Sequence, residues 1–383
     1  MPLYPVYPLW DICPVNGSGC TLTDSKGVQY TDLYGGHAVI SIGHSHPLYV
    51  RRMQEQVTRL GFYSNAVHNP LQEELADRLE HISDYSGYRL FLCNSGAEAN
   101  ENALKLASFQ TGRKRVLALG KAFHGRTSGA VAVTDNPKIN APFNTGHSVD
   151  FVPLNDLQAL RFAFERHSYS AVIIEGIQGV SGIHAASTEY WQLLRALCTA
   201  RGTFLIADEV QSGCGRTGSY FAHSTHGIQA DLVTMAKGIG NGFPVGAVLI
   251  GPAFEACFGQ LGTTFGGNHL ACTAALSVIE AIEKEHLMEN ASRMGTYFTD
   301  GLQALQQQFP QALKEIRGTG LMIGIELNSD CPQAANLRNR LLFEKHIFTG
   351  AAGVNVIRLL PPLCVGTKEA DLFLEAARDL LTQ

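Results

Sequence analysis

Short, unbroken apolar runs recur through the middle of this chain. They are Arg89-Leu-Phe-Leu-Cys93, residues 115–120, Ala171-Val-Ile-Ile-Glu175, Thr203-Phe-Leu-Ile-Ala207, residues 231–236 and Gly246-Ala-Val-Leu-Ile250. Runs of this length bounded by turn residues predict strands buried on both faces. Apolar residues recur at helical spacing over 48–60, 70–82, 98–109 and 188–201, with Pro70 suited to a first helical turn. Strands alternating with helices predict an α/β architecture, a mostly parallel sheet covered by helices on both faces. From about 270 the pattern changes: one long helical stretch runs to about 308. A strand at 322–327, a helix at 333–345, a strand at 354–359 and a last helix from 367 follow. That tail predicts a smaller α+β domain. Residues 1–45 are rich in Pro, Gly and Tyr, and Gly19–Leu33 predicts two short strands joined by a turn at Asp24–Gly27. The expected division is an N-terminal segment 1–45 packing with the small domain, a large domain 46–270 and a small domain 271–383.

Length and composition agree with two domains and remove several functions. A chain of 383 residues exceeds the usual size of a single core. A formal net charge of −5, with no basic run, gives no attraction to nucleic acid or anionic membrane. The start, Met-Pro-Leu-Tyr-Pro-Val-Tyr-Pro, lacks the regions of a signal peptide, and no apolar run approaches membrane-spanning length. Nine scattered cysteines without a Cys-x-x-Cys read as reduced thiols, so a cytoplasmic location is expected. His44 and His46 have metal-ligand types, but no third ligand stands at a recognisable spacing; a structural role is the expectation, and no metal.

Two strand ends carry the candidate chemistry. Asp208 closes the run Leu-Ile-Ala, and Lys237 follows Leu-Val-Thr-Met-Ala. In an open α/β sheet the crevice beyond the carboxyl ends of the strands is where ligands bind. A buried acid needs a cationic or donor partner. A desolvated lysine has a lowered pKa and becomes a nucleophile or Schiff-base former. A cofactor that uses one of each is pyridoxal 5′-phosphate, whose pyridinium nitrogen takes a carboxylate. Ser95 and Gly96 lie between a strand and a helix, where unpaired amides and the positive helix end favour a phosphate; a plain N-cap explains them equally. Phe123 could stack on a flat heterocycle or simply fill core. Arg126 could clamp a carboxylate or merely sit on the surface. Gly238-Ile-Gly240-Asn-Gly242 has Phe243 where a dinucleotide fingerprint needs its third glycine, and Pro244 opposes a helix.

Five motifs stand in one order: residues 94–101 (Asn-Ser-Gly-Ala-Glu-Ala-Asn-Glu), 123–127 (Phe-His-Gly-Arg-Thr), 206–213 (Ile-Ala-Asp-Glu-Val-Gln-Ser-Gly), 235–242 (Met-Ala-Lys-Gly-Ile-Gly-Asn-Gly) and 263–268 (Thr-Thr-Phe-Gly-Gly-Asn). Together they resemble the class III, fold-type I pyridoxal-phosphate aminotransferases, nearly end to end. Phe-His-Gly-Arg-Thr is most similar to the acetylornithine aminotransferases. Tyr34-Gly-Gly-His-Ala-Val and Glu175-Gly-Ile-Gln-Gly-Val180 look like a branch containing N-succinylornithine enzymes. The resemblance implies that Lys237 carries the cofactor and later moves the proton, that Asp208 pairs with the pyridinium nitrogen, and that Gln211 lies near the phenolic oxygen. It further implies Val210 and Phe123 on the ring faces, and Ser95, Gly96 and the Ala97 amide on the phosphate. Thr264 is then supplied by a neighbouring subunit, which makes the protein a homodimer with shared sites. Arg126 and Arg358 match the family's carboxylate binders.

Two departures from the family pattern stand out. Glu175-Gly-Ile-Gln-Gly-Val180 replaces Glu-Pro-Ile-Gln-Gly-Glu, so the acid that gates the arginine matching Arg358 in ornithine-type relatives is a valine. Ala97 replaces a usual threonine and removes a hydroxyl from the phosphate cup. The expected reaction is transfer of the terminal amine of N-acetyl- or N-succinyl-L-ornithine to 2-oxoglutarate, in arginine biosynthesis. Rival expectations are another ω-amino-acid transaminase or aminomutase of the same fold, and a non-catalytic binder that kept the fold.

Overall fold

The computed structural model describes residues 1–353 and 355–383, Gln333 in its backbone alone. Seven strands form the large sheet, in the order Arg89–Cys93, Gly246–Ile250, Leu232–Met235, Phe204–Asp208, Ala171–Glu175, Val116–Leu119, Val149–Val152. Six run one way, and Gly246–Ile250 is antiparallel to both neighbours. Its connection explains the reversal. A parallel neighbour needs a crossover of about a dozen or more residues, and residues 236–245, interrupted by Pro244, hold no helix long enough to make one. Val116–Leu119, Ala171–Glu175 and Leu232–Met235 are buried at every position, which is why they read as continuous apolar runs.

The helices have local reasons to start and stop. Gly96–Thr111 begins on Ser95, whose side chain accepts from Glu98 N, and ends at left-handed Gly112. Thr188–Arg201 is capped by Ser187 and closed by Gly202 in the same way. Trp191, Tyr85, Tyr169, Tyr190 and Phe164 are fully buried in the core beneath.

The C-terminal part has an antiparallel sheet ordered Leu313–Thr319, Met322–Leu327, Val356–Leu359, Gly350–Ala352. The start of the chain joins it in space: Pro14–Ser18, Thr21–Asp24 and Gln29–Asp32 form a sheet that Ile347–Phe348 completes. Several sequence expectations need correction here. The stretch expected as one helix from 270 to 308 is two, His269–Lys284 and Leu287–Gln308, because His286 adopts a left-handed φ of 51°. The helix expected from 333 starts at Leu337, after a 3-10 turn at Pro332–Ala334 and left-handed Asn336. The strand expected over 354–359 is Val356–Leu359, and Val354 lies outside the described residues. Strands Pro14–Ser18, Val149–Val152 and Leu313–Thr319 and helix Leu157–Arg166 were not anticipated.

One close approach seats the long helix Leu287–Gln308 on the small sheet. A Cβ at Gly295 would stand 2.4 Å from the carbonyl oxygen of Gly320 and 2.5 Å from its Cα. Alanine normally stabilises a helix interior over glycine by about 1 kcal/mol, but a backbone neighbour cannot swing aside as a side chain can. The clash wins, so Gly295→Ala should lower the thermal unfolding midpoint. A midpoint equal to or above wild type would contradict this packing.

Candidate active site

Parallel register brings the candidate residues to one edge. Asp208 ends its strand beside Glu175 on one neighbour and Thr234 on the other. Lys237 comes two residues after Met235, where it opens a 3-10 turn with φ 49°. A cavity of about 260 Å³ lies there. Gly96, Ala97, Phe123, Arg126, Asp208, Val210, Gln211 and Lys237 line it, with Asn100, His124, Gly125, Glu175, Ile177 and Val180.

Asp208 is 4% exposed and three donors converge on it. Its Oδ2 accepts from Asn100 Nδ2 at 2.7 Å and from His124 Nδ1 at 2.7 Å, and its Oδ1 accepts from Val210 N at 3.0 Å. An ionised carboxylate only accepts, so His124 carries its proton on Nδ1. The donors are themselves fixed. Asn100 also donates to His124 O at 2.8 Å and accepts from Thr234 Oγ1 at 2.6 Å, while His124 N donates to Thr134 Oγ1 at 2.9 Å. A carboxylate offers about four acceptor positions; three are filled, and a fourth donor can be taken.

Lys237 keeps some surface toward the cavity, and its amine has no hydrogen bond or ion pair among the described residues. Burial draws its pKa below the usual lysine value, although Asp208 and Glu175 pull the other way. Glu175 Oε1 accepts from Phe123 N at 3.0 Å and Oε2 from Gly179 N at 3.1 Å. Burial pushes its pKa up to about 7; His124 opposes the shift and Asp208 adds to it.

The remaining candidates stand around this centre. Ser95 caps the helix one residue before Gly96, its Oγ accepting from Glu98 N at 3.2 Å. The amides of Gly96 and Ala97, in the first turn, have no intrahelical carbonyl to donate to. Val210 is pressed on this turn: a Cβ at Gly96 would stand 2.6 Å from Val210 Cγ1. The Ala97 methyl meets Gly125, where a Cβ would be 2.7 Å away. Arg126 is exposed at the cavity wall. Arg358, on strand Val356–Leu359, is 3% exposed and reaches the site through Gln211 Oε1 at 3.4 Å and Gly179 O at 3.1 Å. Thr264 is exposed on a loop and does not line the cavity of its own chain. His44 and His46 face separate acids, Asp32 and Glu285, each at 2.8 Å.

Sequence reasoning passed over Asn100, His124 and Tyr34. His124 follows Phe123 directly past a strand end, and Asn100 lies one helical turn beyond Gly96. Those spacings were the available signal.

Comparison with known proteins adds a family. The aminotransferase class-III family pattern matches residues 6–381. An acetylornithine aminotransferase of Caldanaerobacter subterraneus subsp. tengcongensis is 39% identical, over 100% of this chain and 97% of its own length. Another, from Archaeoglobus fulgidus, is 40% identical over 94% of this chain and 92% of its own. Among solved structures, N-acetylornithine aminotransferase from Stenotrophomonas maltophilia K279a aligns with a TM-score of 0.84 at 32% identity, covering 98% of this chain and 96% of its own. The ornithine aminotransferase from Toxoplasma gondii ME49 aligns with a TM-score of 0.91 at 27% identity, over 98% and 91%.

Glu175 makes stability depend on pH in a stated direction. Its folded pKa of about 7 lies above the ordinary 4.5, so between those values the folded state holds the extra proton. Stability therefore falls as pH rises through that window, by about 3 kcal/mol at most. Glu175→Gln removes this dependence. Between about pH 5 and pH 8, denaturant titrations should show the variant gaining on wild type; parallel curves would refute the shift.

Proposed function

The chain belongs to the class-III aminotransferases, and from that membership we propose that it transfers the terminal amino group of N-acetyl- or N-succinyl-L-ornithine to 2-oxoglutarate. The products are the N-acylglutamate semialdehyde and glutamate, a step of arginine biosynthesis. Pyridoxal 5′-phosphate, the cofactor of this family, supplies an electron-poor ring that accepts the electron pair of the donor C–H bond and carries the amine between substrates. The residues present fit it. Asp208 has one acceptor position left for a ring N–H, Lys237 has an unpartnered amine, and the first helical turn offers free amides to a phosphate.

The observation that carries the reading is the enclosed, unpaired Lys237 amine facing the same cavity as the buried Asp208 carboxylate. Lys237 Nζ takes the proton from the carbon that bears the donor amine. Its lowered pKa keeps a share of the amine neutral and able to do so. Asp208 would keep a proton on the ring nitrogen of the bound cofactor, and Asn100 and His124 stop the carboxylate from turning away. Phe123 and Val210 would cover the faces of the bound ring, Gln211 would address its phenolic oxygen, and Ser95, Gly96 and Ala97 would hold the phosphate. Arg126 and Arg358 bind substrate carboxylates, as bidentate guanidinium pairs do.

We assign a homodimer with shared sites. Thr264, exposed and off its own chain's cavity, completes the phosphate cup of a partner subunit. Phe62, Tyr63, Val67, Phe258 and Phe265 are exposed, and Phe62 and Phe265 lie 5.5 Å apart in an apolar patch beside Thr264 that supports burial against a second copy. Among the described residues no helix is long and apolar enough to cross a membrane. Nine free cysteines support the cytoplasm as its location.

The higher TM-score with an ornithine aminotransferase favours free ornithine as a second reading. A donor panel with 2-oxoglutarate decides between them. N-acylornithine should exceed free ornithine in kcat/KM, and a clear win for free ornithine would overturn the substrate while leaving the chemistry. Lys237→Ala should keep the dimer, lose the visible absorbance of lysine-bound cofactor and lose turnover by about a hundredfold or more. Substantial steady-state activity in that variant would sink the assignment.

A further inference from the structure

Arg358 is buried without an acid. Its Nη1 donates to Gly179 O at 3.1 Å and, at longer range, to Gln211 Oε1 at 3.4 Å. Its Nη2 donates to the Tyr34 hydroxyl at 3.2 Å, and its Nε is buried with no partner among the described residues. No carboxylate among the described residues forms an ion pair with it. Val180, the residue after Gly179, presents its isopropyl group to the cavity. Glu175 attracts Arg358 at a distance, but its oxygens are taken by the Phe123 and Gly179 amides. Lys237 and Arg338 add like charge nearby. A buried guanidinium in such surroundings needs compensation.

Tyr34 provides it from a site built to receive the ring. The guanidinium carbon of Arg358 stands 5.7 Å from the Tyr34 ring centroid, within cation–π range. Gly350 is the cross-strand partner of Arg358, and a Cβ there would stand 2.1 Å from Tyr34 Cε2, so the ring lies on bare backbone. The main chain beside Tyr34 is pinned from two directions, Leu33 N donating to Phe348 O and Leu360 N to Leu33 O. Burial raises the Tyr34 pKa, which keeps its hydroxyl neutral.

We propose that Tyr34 is a positioning residue that holds Arg358 in its carboxylate-receiving pose without a counter-charge, Val180 standing where the family pattern has an acid. The proposal rests on the reading of 2-oxoglutarate and glutamate as the dicarboxylate pair. A hydroxyl accepts a hydrogen bond from Nη2 but brings no negative charge. An incoming carboxylate therefore displaces a neutral bond instead of an ion pair. Nη1 stays anchored on Gly179 O, while Nε and Nη2 form the edge that takes a carboxylate bidentately. The ring offsets the charge while that edge is empty.

The test measures the two half-reactions of the holoenzyme separately, by the visible absorbance of the bound cofactor. In the glutamate half-reaction, Tyr34→Ala should raise the half-saturating concentration about tenfold and Tyr34→Phe, which keeps the ring, about threefold. Limiting rates should stay within about twofold, and half-saturation by the N-acylornithine should move by less than about twofold. A general loss of structure would move both half-reactions together. Equal changes in both, or an unchanged glutamate constant in Tyr34→Ala, would overturn the proposal. Wild type that gives no response to glutamate would overturn the reading beneath it, and the proposal with it.

Discussion

The site depends on one carboxylate with three of its acceptor positions filled. Asp208 ties together four pieces of chain distant in sequence: its own strand, the helix that bears Asn100, the loop that bears His124 and, through Asn100, the strand that bears Thr234. Hydrogen bonds to a charged group are about twice as strong as neutral ones, and Asn100 is oriented by further bonds to His124 O and Thr234 Oγ1. The fixed point of the cavity is therefore a carboxylate with one acceptor position left open. The helix that begins at Gly96 and the strand ends are registered to each other through it.

The second constraint is electrostatic. Glu175, Asp208, Lys237 and Arg358 share a small, poorly solvated volume. Burial disfavours every charge there. Glu175 has two amide donors and shifts toward neutrality. Lys237 has no partner among the described residues, and burial lowers its proton affinity.

Most of the large sheet could be read from the chain because its strands are buried on both faces, which leaves a signature that needs no partner to interpret. The direction of Gly246–Ile250 could not be read from its own residues; it depends on the length of the connection before it. The breaks at His286 and Asn336 were hidden for a different reason. Both residues adopt left-handed φ without the glycine that usually announces it. Within the site, Asp208 and Lys237 stood out as polar residues ending apolar runs. Asn100 and His124 did not, because their importance lies in contacts with Asp208 across 108 and 84 residues of chain.

The two family departures have unlike consequences. At position 97 the lost hydroxyl leaves a methyl that fits tightly against Gly125, and the amide there is backbone and survives any side chain. That change is local. At position 180 the lost acid alters the charge of the cavity itself, and no carboxylate among the described residues forms an ion pair with Arg358. A compensating group must come from elsewhere in the fold, and one is found at Nη2, the terminal nitrogen that Gly179 does not hold. It lies over Gly350, in a slot open only because that strand position has no side chain. An aromatic hydroxyl from residue 34 and a missing Cβ at residue 350 are thus two halves of one solution to a charge left unpaired at 358.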